Sequence, residues 1–248
     1  MKARKTDIVG EQKNLLDEKK GIVAKYKDLF VGRVSFFYFL KYEIIITPFS
    51  GISGALGYGL RKIFFPGLFG KIGKGVVFGK NMTIRHPRKI EIGDNVVFDD
   101  NTVIDAKGEH NAGIKIGSNV MVGRNTIMSC KGGDIEIGDY ANIGANNYLI
   151  SESILKIGRY VFTAGQTYIV AGGNHSFERK DIPIWFQPSV SKGGIIIEDD
   201  VWIGASCTVV DGVKIRQGSI IGAGSVVHKR IPPYSIALGN PATVIKKR

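Results

Sequence analysis

Ile116–Met121 reads IGSNVM and Val122–Ile127 reads VGRNTI. Each unit is an aliphatic residue, a glycine, two polar residues, a small or β-branched residue and a variable one. The pattern extends in both directions. Toward the N-terminus stand IGKGVV (Ile72–Val77), FGKNMT (Phe78–Thr83), IGDNVV (Ile92–Val97) and FDDNTV (Phe98–Val103). Toward the C-terminus stand IGDYAN (Ile137–Asn142), IGANNY (Ile143–Tyr148), IGRYVF (Ile157–Phe162), IEDDVW (Ile197–Trp202), IGASCT (Ile203–Thr208), IRQGSI (Ile215–Ile220) and IGAGSV (Ile221–Val226). A period of six fits neither an amphipathic helix nor an alternating strand. It is the period of a parallel β-helix, in which each hexad supplies one strand and one corner, and three hexads close a triangular coil. The leading aliphatic is expected to stack on its counterpart in the next coil. The following Gly is expected to permit the corner conformation, and the small fifth residue to fit the crowded interior. The step from Ile157 to Ile197 is too long for one coil, so a loop is expected to project at about 171–194. The fold class is therefore mainly β: a parallel β-helix of hexapeptide repeats over 72–248 with a short C-terminal tail, after a helical, basic N-terminal extension over 1–71. Handedness does not follow from the period, since parallel crossovers are ordinarily right-handed.

Composition narrows the setting. Glycine is in excess, with 33 residues in 248, while 44% hydrophobic and 23% charged residues indicate a folded chain. Cys130 and Cys207 both lie inside repeats, at a spacing that suggests neither a metal site nor a disulfide, so a reducing compartment is expected. Of the net charge of +12, residues 1–75 carry 14 Lys and Arg against 6 Asp and Glu, a net of +8. Met1–Lys20 is polar and lacks the apolar core of a secretion signal. Phe30–Ile46 is apolar but interrupted by Arg33, Lys41 and Glu43, which makes a poor membrane span. Leu15, Leu16, Ile22, Val23, Tyr26, Leu29 and Phe30 recur at spacings of three and four, with Lys19, Lys20, Lys25 and Lys27 off that stripe. This is an amphipathic basic helix, read both as a cap on the first coil and as a contact with an anionic membrane surface. The expected location is cytoplasmic, peripheral on the inner face of the membrane. Nucleic acid is not an expected partner, because the aromatics of this region form apolar blocks and not a base-stacking basic surface.

The stretch from Ile195 to Ile245, IIIEDDVWIGASCTVVDGVKIRQGSIIGAGSVVHKRIPPYSIALGNPATVI, resembles the C-terminal signature of hexapeptide-repeat acetyltransferases. These include the maltose, galactoside and serine acetyltransferases and the polysaccharide O-acetyltransferases. GNPA (Gly239–Ala242) is its most specific tag, and the likeness covers the chain from about Ile72 to the end. The first 70 residues are similar to the N-terminal extension of acetyltransferases acting on lipopolysaccharide or other surface glycans. The resemblance implies a left-handed coil and a homotrimer with acetyl-CoA in a groove between subunits. It further implies transfer of the acetyl group to a hydroxyl of a sugar or lipid-linked glycan, without a metal. N-acetylation of an amino (nucleotide-)sugar and a non-catalytic β-helix scaffold are the alternatives.

Acyl transfer from a thioester to a hydroxyl needs a base for the proton and donors for the oxyanion. Histidine suits the first task. Of the four histidines, His86 and His110 sit at corners or short insertions where either could be plain surface, and His228 lies where the family places a polar residue beside the cofactor. His175 opens the long loop in GGNHSF (Gly172–Phe177), the place that the resemblance gives to the catalytic base. Asn174, Glu178 or a backbone carbonyl could orient it, and Trp202 stands where relatives line the site with an aromatic. For the cofactor, the resemblance points to Gly204, Ala205, Gly222 and Ala223 along the pantetheine. It points to Lys229 and Arg230 near the phosphates and to Pro241 at the adenine. A hexapeptide-repeat carbonic anhydrase would need three converging zinc-binding histidines, and His86, His110 and His175 are too scattered.

Overall fold

The computed structural model describes residues 21–248, so Leu15, Leu16, Lys19 and Lys20 of the basic stripe lie outside the described residues. The repeats wind into a parallel β-helix with three faces. Seven strands stack on the first face, from Lys71–Ile72 to Lys214–Ile215, and seven on the third, from Thr83–Arg85 to Val226–Val227. The second face begins at Val77–Phe78 and reaches Ser235–Leu238, its eighth parallel strand, beside which Thr243–Lys247 folds back antiparallel. Ile72, Ile92, Ile116, Ile137, Ile157, Ile197 and Ile215 pair in one unbroken column, the stacking that the first hexad position predicts. The fifth positions also lie inside, including Val96, Thr102, Val120, Thr126, Cys207 and Ser225.

The corner chemistry differs from the sequence expectation. The left-handed residue is the fourth of the hexad, not the glycine at the second. Asn95, Asn101, Asn119 and Asn125 have φ of 55–60°, and Tyr140, Tyr160, Asp200 and Ser206 follow suit. Asparagine tolerates this region better than other L residues. Here it also ladders between coils, with Asn101 Nδ2 donating to Asn125 Oδ1 at 3.1 Å and Asn125 Nδ2 to Asn146 Oδ1 at 3.0 Å. The second-position glycine serves close approach instead. A Cβ on Gly93 would lie 2.7 Å from the carbonyl carbon of Gly117, and one on Gly123 2.6 Å from the amide nitrogen of Ala145.

Among the described residues, three helices, α1 (Ile22–Phe30), α2 (Phe36–Phe49) and α3 (Gly54–Phe64), pack on the first coil. Ser35 caps α2 by accepting from Tyr38 N at 3.2 Å, and Pro48 falls in its last turn, where it ends the helix. Phe65, Leu68 and Phe69 plug the open end of the coil, and Phe69, Phe78 and Phe98 continue inward as a stack with centroids 5.5 and 6.0 Å apart. A first coil has an unpaired strand edge. The helical layer satisfies much of it: Asn81 N donates to Ser50 O at 2.7 Å, His86 N to Phe30 O at 3.0 Å, and Tyr42 Oη to Ile84 O at 2.7 Å. Arg61, buried, donates from Nε to Phe78 O at 2.9 Å and from Nη1 to Ile52 O at 2.7 Å. His86 is thus not surface. It is buried beneath α1, with Nε2 3.1 Å from Asp28 O and Nδ1 3.4 Å from Asp105 Oδ1, because the helical layer lands on its corner. His110 is exposed.

Candidate functional site

The corner between the third and first faces is where the coil departs furthest from its repeat. It carries the Pro87–Lys89 turn, the segment between Asp105 and Ile114, and the excursion between Ala171 and Ile195. The two strands flanking that excursion keep their coil partners. Tyr168–Ala171 pairs with Tyr148–Ser151, and Ile195–Ile197 with Leu155–Ile157. The excursion is therefore a projection from an intact frame.

It opens as a hairpin of Asn174–His175 against Ser189–Val190, closed further by Ser176 N donating to Pro188 O at 2.9 Å. Gln187 is buried at its centre, with Nε2 donating to Arg179 O at 2.7 Å and Oε1 accepting from Arg179 N at 3.2 Å. His175 is half-buried, and its Nδ1 lies 3.4 Å from the carbonyl oxygen of Gln187. With the proton on Nδ1, that contact orients the ring and leaves Nε2 free to accept a proton. Of the three orienting groups considered from sequence, the backbone carbonyl is the one that faces the ring. Asn174 turns elsewhere, donating from Nδ2 to Asp211 Oδ2 at 3.1 Å. Glu178 is exposed, and among the described residues nothing pairs with it.

Two carboxylates hold the base of the hairpin, and neither was singled out in the sequence. Asp211, only 4% exposed, accepts from Lys192 N at 2.6 Å, Gly194 N at 2.8 Å and Asn174 Nδ2. Glu152 Oε2 accepts from Gly173 N at 2.9 Å and lies 3.5 Å from Ser189 Oγ. The available signal for Asp211 was positional. Ser151 and Ala171, buried at the ends of the two preceding third-face strands, are small, and Asp211 follows Val210 at the equivalent place one coil on. For Glu152, in Ser151–Ser153, the local sequence offers no signal.

Five of the cofactor candidates gather on a different corner, while Lys229 and Arg230 fall on the corner of the His175 excursion, two coils further on. Gly204 and Ala205 follow a second-face strand, Gly222 and Ala223 do so one coil later, and Gly239–Pro241 does so in the last coil. Gly204 N donates to Ile221 O and Gly222 N to Ala237 O, each at 2.8 Å. A Cβ on Gly204 would lie 2.6 Å from Ala223 N, so coil stacking alone already demands glycine there. Lys229 and Arg230 are exposed after the last third-face strand, and Pro241 is exposed in a turn that leans on Val226, whose carbonyl accepts from Ala242 N at 2.9 Å. Trp202 opens a second-face strand, half-exposed beside Phe162 at 6.4 Å between centroids. Within one chain the third face separates this corner from His175, and no hydrogen bond or ring contact joins Trp202 to the hairpin among the described residues.

Neither thiol is a nucleophile in waiting. Burial pushes Cys130 up to about 12 and raises Cys207, which keeps both protonated near neutrality. Among the described residues no group of three or more His, Cys, Asp or Glu side chains could hold a metal ion.

A family model described as the hexapeptide repeat of succinyl-transferase matches residues 71–106, 113–151 and 194–229, leaving out the two largest excursions and the coil before the second. A probable macrolide acetyltransferase of Lysinibacillus sphaericus is 35% identical over 123 residues, covering 44% of this chain and 68% of the relative. The chain spans 28% to 47% of the length of other curated acetyltransferases that it matches. Among solved structures, the polySia-specific acetyltransferase NeuO shares the fold, with a TM-score of 0.55 at 24% identity over 72% of this chain and 82% of that one. A variant of AntD, an N-acyltransferase from Bacillus cereus in complex with dTDP and coenzyme A, aligns with a TM-score of 0.51. Its identity is 25% over 80% of this chain and 91% of that one.

Proposed function

The chain belongs to the hexapeptide-repeat acetyltransferase family, and on that premise we propose that it moves an acetyl group from acetyl-CoA to a sugar hydroxyl, with His175 as general base. The observation that carries this reading is the hairpin itself: a half-buried histidine, Nδ1 toward the Gln187 carbonyl, on an excursion braced by two carboxylates. Acetyl-CoA supplies a thioester carbonyl. His175 Nε2 takes the acceptor's proton as its oxygen bonds to that carbon. The tetrahedral adduct collapses by breaking the C–S bond, and the imidazolium returns the proton to the departing thiolate. The corner of Gly204–Ser206, Gly222–Gly224 and Gly239–Pro241 suits an extended pantetheine, since few side chains there rise above the backbone. Lys229 and Arg230, both exposed, meet the phosphates.

His175 and that corner lie on different edges of one chain, which is what a site completed between subunits of a homotrimer requires. Trp202 joins the site in the same way, from a neighbouring subunit. The acceptor belongs to a surface glycan or glycolipid precursor, met as a lipid-linked sugar at the inner face of the membrane. No helix among the described residues is long and apolar enough to cross one.

The test is His175→Ala. Turnover with a soluble sugar acceptor should fall by about 10²–10⁴, the usual worth of a general base, with thermal stability unchanged. Near-full activity would refute the assignment. A second reading, N-acylation of an amino nucleotide-sugar, is favoured by the likeness to AntD. Hydroxylamine separates them, because it cleaves an O-acetyl ester and spares an amide.

A further inference from the structure

α2 buries one side and leaves the other bare. Phe39, Tyr42, Ile45 and Ile46 pack toward the first coil, whereas Phe36, Phe37, Leu40 and Ile44 are 65%, 82%, 45% and 60% exposed. At 3.6 residues per turn, these four fall within about a third of the helix circumference, so they form one stripe. Scattered apolar residues on a surface need no explanation, but a contiguous stripe on an otherwise well-packed layer does. α3 leaves Leu56 and Ile63 exposed as well.

The charge of the same layer narrows what can cover it. Residues 21–70 carry 6 Lys and Arg against 2 Asp and Glu, a net of +4. Arg33, Lys41 and Lys62 are exposed among them. A positive rim does not favour another copy of the same positive layer, since like charges would face each other. It does favour a surface that is negative at the rim and apolar beneath. α2, at 14 residues, is too short to span a bilayer but long enough to lie along one. We infer that the outward stripe of α2 is the surface by which the protein docks on an anionic lipid bilayer, Phe36, Phe37, Leu40 and Ile44 entering the interface while the surrounding cations meet lipid phosphates. This deepens the reading of a lipid-linked acceptor, yet the docking itself does not depend on acyl transfer.

The experiment is co-sedimentation of the full chain with phosphatidylcholine vesicles, with and without phosphatidylglycerol, over a salt series. Binding should require phosphatidylglycerol and should weaken with salt without vanishing, because the cations are screened and the buried apolar groups are not. Phe37→Glu with Ile44→Glu should lower partitioning by about tenfold or more without moving the thermal midpoint, since both side chains are exposed. Transfer to a soluble acceptor analogue is measured alongside. Vesicle binding without any transfer would strike the acyltransferase reading and leave the docking standing. Transfer without vesicle binding at low salt would do the reverse. Unchanged binding by the double variant, or a concentration-dependent self-association that the double variant abolishes in place of lipid binding, would also overturn the docking.

Discussion

The coils and the excursion they carry are held together in opposite ways. In the coils each side chain repeats a bond made one turn earlier, as the isoleucine column from Ile72 to Ile215 does, and the loss of one contact is shared among neighbours. The excursion between Ala171 and Ile195 has no such redundancy. Its hairpin hangs on Asp211, Glu152 and Gln187, each making bonds that nothing else duplicates. Rigidity here is general in one region and particular in the other, and the particular region carries the candidate base.

The contrast can be broken most forcefully from the coil side. Phe98 is fully buried and stacked on Phe78, so Phe98→Ala should cost about 3–5 kcal/mol of global stability, seen as a lower thermal midpoint for the whole β-helix. If only the nearest coils loosened, the coils would not be one cooperative unit. Asp211→Ala should act the other way. It strands the amides of Lys192 and Gly194, a local cost of about 1–3 kcal/mol for each. Amide exchange should rise across the excursion and stay unchanged in the coils. Turnover should drop by up to about 10²-fold, the scale of a misplaced catalytic group. Uniform exchange across both regions would erase the distinction.

Smaller effects sharpen it. Asn125→Ala loses two ladder bonds and puts an alanine at a φ of 58°, which should cost about 1–2 kcal/mol, and Asn125→Gly should cost less because glycine accepts that φ. Equal costs would show that the ladder, not the left-handed corner, matters. The smallest effect concerns acid. The amide of Arg159 holds the Asp199 carboxyl below its ordinary range, with the Arg159 side chain helping and burial opposing. A depressed folded-state value means that the contribution is present above the ordinary carboxylate pKa of about 3.9 and is lost as pH falls through the folded value. Asp199→Asn should therefore lower stability slightly near neutrality, converge on the wild type in acid below the folded value, and so flatten the acid limb of the stability curve below about pH 4.

The β-helix was readable because its information is local and repeated: Ile116 says what Ile137 says. The excursion announced itself only as a broken period between Ile157 and Ile197. What braces it could not be read, because Asn174 meets Asp211 across 37 residues and Gly173 meets Glu152 across 21, with no pattern linking either pair. The corner was misread for a different reason. Glycine at the second hexad position suggests a permissive backbone, but at Gly93 it answers a crowding between coils that a single hexad does not contain. The burial of His86 could not be read either, because nothing in its own segment tells that α1 lands on it.

Stacked coils also make the molecule a ruler. The helical layer rests on the first coil and the His175 hairpin leaves the fifth, so four steps of about 4.8 Å, some ~19 Å along the axis, separate them. Because every coil meets its neighbours through the same register, one could be spliced in or cut out between them and the two ends would still fit. The height at which the hairpin works above whatever the helical layer touches is thus set in whole coils, a quantity evolution or an engineer can change one notch at a time.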